Sequence, residues 1–213
     1  MPLRVNEIFL SLQGESTYAG LPCVFVRLTG CNLRCSYCDT PYAYDEGRWV
    51  SQGEILDAIG AYGVRLVEIT GGEPLLQSEC PELASALLGR GYTVLVETNG
   101  SQDIRLLPEG CIRIVDLKCP GSGMTDRMDF QNLHRLGRRD EVKFVLRDRR
   151  DYEWAREIMR SHPMPEPGRT LLSPAHPFLC ARDLAEWMLA DPPPARLQVP
   201  LHRMLWPEQP RGR

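Results

Sequence analysis

The stretch CVFVRLTGCNLRCSYCDT, Cys23–Thr40, joins a run of apolar and β-branched residues to three closely spaced cysteines. Its first half, Cys23–Thr29, is typical of a buried β-strand. Its second half places Cys31, Cys35 and Cys38 within eight residues, directly after that strand. In parallel α/β proteins, reactive groups gather at the carboxyl ends of the strands. The stretch therefore predicts both a strand of a parallel sheet and a reactive loop at its end.

Segments typical of strands and helices alternate along the rest of the chain. The further predicted strands are Leu66–Thr70, Tyr92–Thr98, Ile112–Leu117, Glu141–Leu146, Thr170–Ser173 and the shorter Arg196–Val199. The predicted helices are Ser51–Ala61, Cys80–Leu88, Asp151–Ser161, Ala181–Leu189 and a short one at Asp126–Leu136. This alternation indicates βαβ units and a parallel sheet. About six units fit, fewer than a closed eight-fold barrel needs, so we expect an α/β fold with an open, partial (β/α)6-type TIM-like barrel.

Composition and charge limit the class of protein. The 213 residues are predicted to form a single domain, with the N-terminal strand and loop 1–20 and the tail 191–213 packed on the core. The formal net charge of −3 gives no positive field that would attract nucleic acid or a membrane surface. No secretory signal and no membrane-spanning run is visible, so we expect a cytoplasmic protein. In such a reducing compartment, eight cysteines indicate metal or redox chemistry.

Three thiolates without a nearby fourth limit the metals that the loop can bind. A structural zinc ion usually has four ligands in two pairs, and a fourth ligand here would have to be one of the scattered cysteines. In a [4Fe–4S] cluster each iron takes one protein ligand, so three cysteines leave one iron open to a small molecule. The loop favours such a cluster, and a zinc- or cluster-binding regulatory module without turnover is the alternative.

Two motifs on consecutive predicted units carry a family resemblance. The segment CNLRCSYC fits the pattern CX3CXΦC, with Tyr37 as the aromatic residue, and Gly71-Gly72-Glu73-Pro74 follows the next strand. Both resemble the radical S-adenosylmethionine (SAM) superfamily. The resemblance implies that the open iron of a [4Fe–4S] cluster binds SAM and that reductive cleavage of SAM gives a 5′-deoxyadenosyl radical.

Further segments narrow the resemblance to one family. They are Glu7–Glu15 (EIFLSLQGE), Phe25–Leu28, Cys38–Thr40, Asp116–Pro120 and the tail from Gln198 through His202 to Trp206. These segments resemble the 7-carboxy-7-deazaguanine synthase family, although that family often reads Gly-Glu-Gly where this chain has Ser16 in the third position. The resemblance implies a lyase that converts 6-carboxy-5,6,7,8-tetrahydropterin to 7-carboxy-7-deazaguanine with loss of ammonia, in 7-deazapurine (queuosine and preQ0) biosynthesis. It also implies Mg²⁺, a homodimer, and a flavodoxin or ferredoxin as electron donor. The alternative within the superfamily is an activase that forms a glycyl radical on a partner enzyme.

The resemblance assigns roles to individual residues. Cys31, Cys35 and Cys38 are implied as cluster ligands, and Thr40 as a ligand of Mg²⁺. The residues implied for SAM are Tyr37, Cys38, Asp39, Gly72, Glu97, Asp116, Leu117, Lys118 and Ser173. The residues implied for the pterin are Leu12, Gln13, Gly14, Arg27, Thr70 and His202.

Several of these assignments have a structural alternative. The planar fork of Arg27 suits a carboxylate, but it would also suit a surface salt bridge. Leu12–Gly14 could instead form a turn between two strands, and Thr40 could bond locally to the backbone before Pro41. Asp116 and Lys118 could form an internal ion pair.

The run Arg135–Arg150 is unusually basic. It contains seven basic residues against three acidic ones. It predicts either a solvated face or a docking patch for an acidic electron donor.

Overall fold

One nine-stranded sheet organises the molecule. In the computed structural model, which describes residues 1–209 and 211–212, the strands are β1 (Pro2–Leu12), β2 (Pro22–Leu28), β3 (Arg48–Ser51), β4 (Leu66–Gly71), β5 (Thr93–Thr98), β6 (Ile112–Lys118), β7 (Glu141–Leu146), β8 (Thr170–Pro174) and β9 (Arg196–Leu197). Their order is β3-β1-β2-β4-β5-β6-β7-β8-β9. The strands from β2 to β9 along this order are parallel, whereas β1 is antiparallel to β2 and β3. Because β3 and β9 lie at opposite ends of the order, the barrel is open.

The predicted open α/β barrel is confirmed, with one correction at its edge. The sheet is mixed, because β1 and the unpredicted strand β3 run antiparallel to their neighbours. The link 13–21 between β1 and β2 is short. A connection of that kind suits antiparallel neighbours, whereas parallel neighbours need a crossover of about a dozen residues or more. The N-terminal segment is therefore part of the sheet through β1.

Five α-helices accompany the strands in the described chain: α1 (Gln52–Ala61), α2 (Cys80–Gly89), α3 (Arg149–Ser161), α4 (Ala181–Ala190) and α5 (Leu201–Leu205). The first four confirm predicted helices. The α1 helix begins with the capping box that Ser51 and Glu54 predict. The α5 helix, which follows Pro200, was not predicted. None of the described helices has the length and apolar character needed to cross a membrane.

The short helix predicted at Asp126–Leu136 is wrong. The structure has two separate 3-10 turns there, Thr125–Arg127 and Phe130–His134. The Asp129 side chain lies between them and accepts a hydrogen bond from the backbone N–H of Gln131, which starts the second turn afresh. This local capping interrupts the continuous hydrogen bonding that an α-helix needs.

The two faces of the sheet bury different kinds of side chain. Side chains of its outer face form two apolar clusters with the helices. One cluster includes residues of α1 and α2, and the other includes residues of α3 and α4. On the inner face, Phe25, Leu95 and Ile114 form part of a third apolar cluster. Side chains alternate along a strand, so Arg27, Glu97 and Asp116, two residues further along the same strands, share this inner face. The barrel interior is therefore charged near the carboxyl ends of the strands and apolar further from them.

The tail joins the sheet through β9, which pairs with β8. Beyond it, the backbone N–H of Leu201 donates to the Gly14 carbonyl (2.9 Å). Two residues of the tail that was expected to pack on the core, Pro210 and Arg213, lie outside the described residues.

Candidate active site at the open end of the barrel

A cavity of about 640 Å³ opens at the carboxyl ends of the parallel strands. Every residue predicted for the site, except Leu117, lines it. The Leu117 side chain is completely buried in the outer apolar cluster, because successive residues of β6 face opposite sides of the sheet. Any contact of Leu117 with SAM would therefore have to come from its backbone, and the assignment stays a prediction.

The three-cysteine loop forms part of the cavity wall. Cys31, Cys35 and Cys38 are free, partly exposed thiols that line the cavity. Within residues 1–209 and 211–212, no other cysteine lines it, so none offers a fourth thiolate there. The Cys31 sulfur accepts hydrogen bonds from the Leu33 backbone N–H (3.4 Å) and the Asn99 side-chain amide (3.8 Å).

The arrangement of these thiols can be compared with the two predicted kinds of metal site. In the part of the chain that the structure describes, no three His, Cys, Asp or Glu side chains come together around a position for a single metal ion. A zinc ion requires such convergence. In a [4Fe–4S] cluster each cysteine binds a different iron, so the thiolates surround a larger body. Three thiols on one loop of the cavity wall, each free to bind a different iron, therefore fit such a cluster.

The segment Gly71-Gly72-Glu73 holds the cysteine loop in place. The Glu73 backbone N–H donates to the Gly30 carbonyl (2.7 Å), and the Gly72 N–H donates to the Leu28 carbonyl (3.3 Å). A Cβ on Gly72 would lie 2.2 Å from the Gly30 carbonyl oxygen. The glycine was expected to allow close approach of SAM; in this structure it allows close approach of the loop that precedes Cys31.

The Glu73 side chain is completely buried and serves the same junction. Its carboxyl accepts hydrogen bonds from the Asn99 backbone N–H (2.6 Å), the Thr98 hydroxyl (2.8 Å) and the Leu75 backbone N–H (3.0 Å). Burial raises its pKa to about 7, although these donors act in the opposite direction. Glu73 thereby fixes Asn99, whose amide contacts Cys31.

Arg27 forms an ion pair within the protein and also faces the cavity, and its contact with a pterin carboxylate stays a prediction. Its Nε donates to a Glu7 carboxylate oxygen (2.7 Å), and its guanidinium lies 6.0 Å from the centre of the Tyr42 ring. Arg27 also lines the cavity. The ion pair with Glu7 orients the guanidinium and uses only its Nε.

The turn after β1 is fixed by contacts within the protein. The Gln13 side-chain amide donates to Glu68, and its carbonyl oxygen accepts from the Glu15 N–H (3.1 Å). A Cβ on Gly14 would lie 2.4 Å from Nδ1 of His202, so this glycine makes room for the tail. Both observations match the structural alternative of a turn, and contact of Leu12–Gly14 with a pterin stays a prediction.

Ser16 stands in this turn with a left-handed backbone, at φ +65°. A glycine would adopt that conformation without steric cost. Here the Ser16 hydroxyl accepts from the Tyr18 N–H (3.0 Å), and the Ser16 N–H donates to the Gln198 side chain (2.6 Å). Local hydrogen bonds thus hold the turn in the shape that glycine favours.

A buried ion network forms the charged part of the cavity. The Lys143 ammonium contacts carboxylates of Glu15 (2.8 Å), Glu97 (2.5 Å) and Asp116 (3.7 Å). Asp116 also pairs with Lys118 (2.6 Å), which is the predicted internal ion pair. The assignment of Lys143 to a surface basic run is corrected, because its side chain is only 6% exposed.

Glu15, Glu68 and Lys143 are charged residues of the cavity that were not predicted. A charged residue inside an apolar strand segment, as in LVEIT and EVKFVL, is the signal that could have identified Glu68 and Lys143. Arg27 in CVFVRLT shows the same signal. For Glu68, burial and then the nearby Glu97 charge raise the pKa to about 8.

The tail contributes cations and an imidazole to the cavity rim. His202 lines the cavity, and burial lowers its pKa, which favours the neutral ring. Arg203 pairs with Asp39 (2.8 Å), and the same carboxylate accepts from the Thr40 hydroxyl (2.9 Å). On the cysteine loop, the Tyr37 hydroxyl donates to the Val145 carbonyl (3.0 Å).

Comparison with known proteins agrees with this geometry. Residues 25–120 match the model of the radical SAM superfamily. Together with a cavity that carries three cysteines, this match defines the chain as a radical SAM enzyme.

Individual relatives give the family. The 7-carboxy-7-deazaguanine synthase of Koribacter versatilis is 41% identical over 99% of this chain and 100% of its own length. That of Chlorobaculum tepidum is 40% identical over 99% and 97%. The crystal structure of QueE from Escherichia coli has a TM-score of 0.78 and 27% identity, covering 95% of both chains. The chain belongs to the 7-carboxy-7-deazaguanine synthase family.

Replacing Gly72 tests the junction of the two loops. We expect Gly72→Ala to destabilise the protein by about 1–3 kcal/mol, since its Cβ would clash with a backbone carbonyl that cannot move aside easily. Iron and sulfide content after anaerobic reconstitution should fall with it. Gly89→Ala is the matched control, because nothing lies within 4 Å of its added Cβ. Equal iron content in both variants would contradict the role given to Gly72.

The raised pKa of Glu68 predicts a pH-dependent stability. In the folded protein this carboxyl keeps its proton up to a pH of about 8, whereas in the unfolded chain it ionises at its ordinary lower value. The stability that it contributes is therefore complete below the unfolded pKa and is lost as the pH rises through about 8. The free energy of unfolding, measured with denaturant, should be lower at pH 9 than at pH 6. This decrease should be smaller in Glu68→Gln than in the wild type, by an amount on the order of a few kcal/mol.

The control for this measurement is Glu82→Gln, which changes an exposed carboxylate on α2. Its unfolding free energy should follow pH as in the wild type. A Glu68→Gln variant with the full wild-type decrease would show that Glu68 ionises normally.

Proposed function

We propose that this protein acts as a 7-carboxy-7-deazaguanine synthase, which contracts 6-carboxy-5,6,7,8-tetrahydropterin to 7-carboxy-7-deazaguanine with loss of ammonia in 7-deazapurine biosynthesis. The observation that carries this function is that one cavity contains both the three-cysteine loop and the Arg27 guanidinium. A cofactor that starts radical chemistry and a carboxylate-bearing substrate can therefore meet in the same place. A glycyl-radical activase has no need of a carboxylate site inside such a cavity.

Cys31, Cys35 and Cys38 would hold the [4Fe–4S] cluster. The cluster and SAM supply the one-electron chemistry that generates the initiating radical. Around them, the chain offers groups suited to a nucleoside. Asp116 Oδ1 is buried and has no hydrogen-bond partner among the described residues, so it can accept a hydrogen bond from a ribose hydroxyl. Lys118, paired with the other oxygen, stays charged beside it.

The remaining predicted SAM residues are part of this proposal. They are Tyr37, Asp39, Gly72 and Ser173, together with the backbone of Leu117. Glu97, which Lys143 links to Glu15 in the turn after β1, is assigned to the substrate instead of SAM. The hydrogen bond from Tyr37 to Val145 holds its ring against the cavity, which supports a stacking role.

Substrate binding would take place on the opposite side, around Arg27. No described protein group accepts a hydrogen bond from its two terminal nitrogens, which supports a bidentate contact with the pterin carboxylate. Thr70, two residues beyond Glu68 on the same face of β4, and neutral His202 can hydrogen-bond the ring. Thr40 is our proposed protein ligand for Mg²⁺, which accepts few protein oxygens beside substrate and water.

The proposal includes a context for the enzyme. We infer a single-domain protein that works as a cytoplasmic homodimer and receives its electron from a flavodoxin or ferredoxin. Arg147 supports a donor site near the cluster loop, since it hydrogen-bonds Ser36 (3.4 Å). The other basic residues of 135–150 are dispersed, with Arg135 paired to Asp129 and Arg138 to Glu166, so we limit the docking patch to the part near Arg147.

An anaerobic assay tests this function. The protein is reconstituted with iron and sulfide, reduced with dithionite and supplied with SAM and 6-carboxy-5,6,7,8-tetrahydropterin. Formation of 7-carboxy-7-deazaguanine, followed by ultraviolet absorbance and mass, is the expected result. Cleavage of SAM without any pterin product would favour the activase alternative, and a protein that takes up zinc but no iron would contradict both.

Variants at Arg27 test the carboxylate contact. Arg27→Ala should retain the cluster and SAM binding but lose kcat/KM for the pterin by about 100-fold, the value of losing a charge-assisted contact. Arg27→Lys keeps the charge without the fork, so it should be intermediate. Arg48→Ala, on the exposed part of β3, is the control with wild-type turnover. Unchanged pterin kinetics in Arg27→Ala would remove this residue from the site.

A further inference from the structure

The least expected residue in the cavity is a lysine. Lys143 lies in the middle of β7, and its side chain is only 6% exposed. Its ammonium donates to Glu15 from the turn after β1 and to Glu97 at the end of β5. It thereby joins two chain segments that have no sequence proximity. Burying this cation has a large unfavourable desolvation free energy, so we expect the lysine to have a specific role.

Each of the two carboxylates that Lys143 contacts accepts hydrogen bonds at only one of its oxygens. Lys143 donates to Glu15 Oε2 and Glu97 Oε1, and Glu15 Oε2 also accepts from Gln198 (3.2 Å). No described protein group donates to the second oxygen of either carboxylate. Both side chains are 22% exposed and line the cavity. Two carboxylate oxygens, one from each residue, therefore remain as hydrogen-bond acceptors on the cavity side.

The Lys143 charge also favours the ionised form of Glu97. Burial raises the pKa of Glu97, and among the opposing effects the Lys143 charge is the largest. The nearby Glu15 and Asp116 charges act in the same direction as burial. Without the lysine, three carboxylates would share a low-dielectric space, and like charges there favour protonation. A protonated carboxyl would present a donor where the cavity now presents an acceptor.

We propose that Lys143 is a positioning residue for substrate recognition: it orients the Glu15 and Glu97 carboxyl groups so that their free oxygens accept hydrogen bonds from the N–H donor edge of an aminopyrimidinone ring. This inference rests on the proposed function, and it specifies which side of the pterin faces the charged wall. The amino group and ring N–H groups of the pterin supply the donors. A ligand without them would leave desolvated carboxylate oxygens unpaired, and the site rejects it for that reason.

The test compares Lys143→Met with Lys143→Arg in the reconstituted, SAM-loaded protein. We expect Lys143→Met to raise KM for 6-carboxytetrahydropterin about 10- to 100-fold, the loss of one charge-assisted hydrogen bond, while the Kd for SAM stays within about twofold. Lys143→Arg keeps the charge and should restore most of the affinity. Arg138→Met, an exposed residue that was part of the same basic run, is the control with wild-type constants.

Two further measurements separate positioning from a structural role. The wild type should discriminate against the 2-deamino analogue of the pterin, and Lys143→Met should lose that discrimination. In a double-mutant cycle, Glu97→Gln should add little to Lys143→Met, because both remove the same acceptor.

The outcomes are distinct. Additive losses, or equal losses of SAM and pterin binding with no rescue by arginine, would show that Lys143 only stabilises the fold and would overturn the inference. If Lys143→Met converts the pterin with the same constants as the wild type, the inference is overturned and the proposed function stands. A wild-type protein that neither binds nor converts the pterin would overturn the proposed function and this inference with it.

Discussion

The contact between the Gly72 backbone and the Gly30 carbonyl is the constraint on which the site depends. It brings the end of β4 against the start of the cysteine loop so closely that no side chain fits between them. The buried Glu73 carboxyl then ties this junction to Asn99 after β5. Three loops from three strands are thus fixed together by contacts within the protein. The position of Cys31 depends on these contacts.

The barrel interior shows how one sheet face can serve two purposes. Its lower part is apolar and contributes to the core, as Phe25 and Leu95 do. Two residues further along the same strands, Arg27, Glu97 and Asp116 are charged, and each forms an ion pair with a residue of another strand. The apolar part contributes stability that offsets the cost of burying these ions.

Sequence reasoning could predict what depends on local pattern. Strand and helix periodicity gave the order of elements, and the rule that parallel strands end at one edge brought distant motifs into one cavity. It could not predict contacts that depend on register between strands, such as the placement of Lys143 against Glu97. It also misjudged Asp126–Leu136, where side-chain capping overrides helical composition. Ser16 shows the same limit, because its left-handed backbone is stabilised by Gln198, which is far away in sequence.

The separation of charge across the cavity has a consequence for how a substrate can enter. Glu15 and Glu97 make one wall anionic, and Arg27 provides a cation on β2. A molecule with an anionic head and a donor-bearing tail has one favourable orientation in such a field, and turned end for end it would set carboxylate against carboxylate. If the substrate docks between Arg27 and these carboxylates, as proposed, the polarity of the walls would therefore select which end of the molecule enters first, independently of its shape.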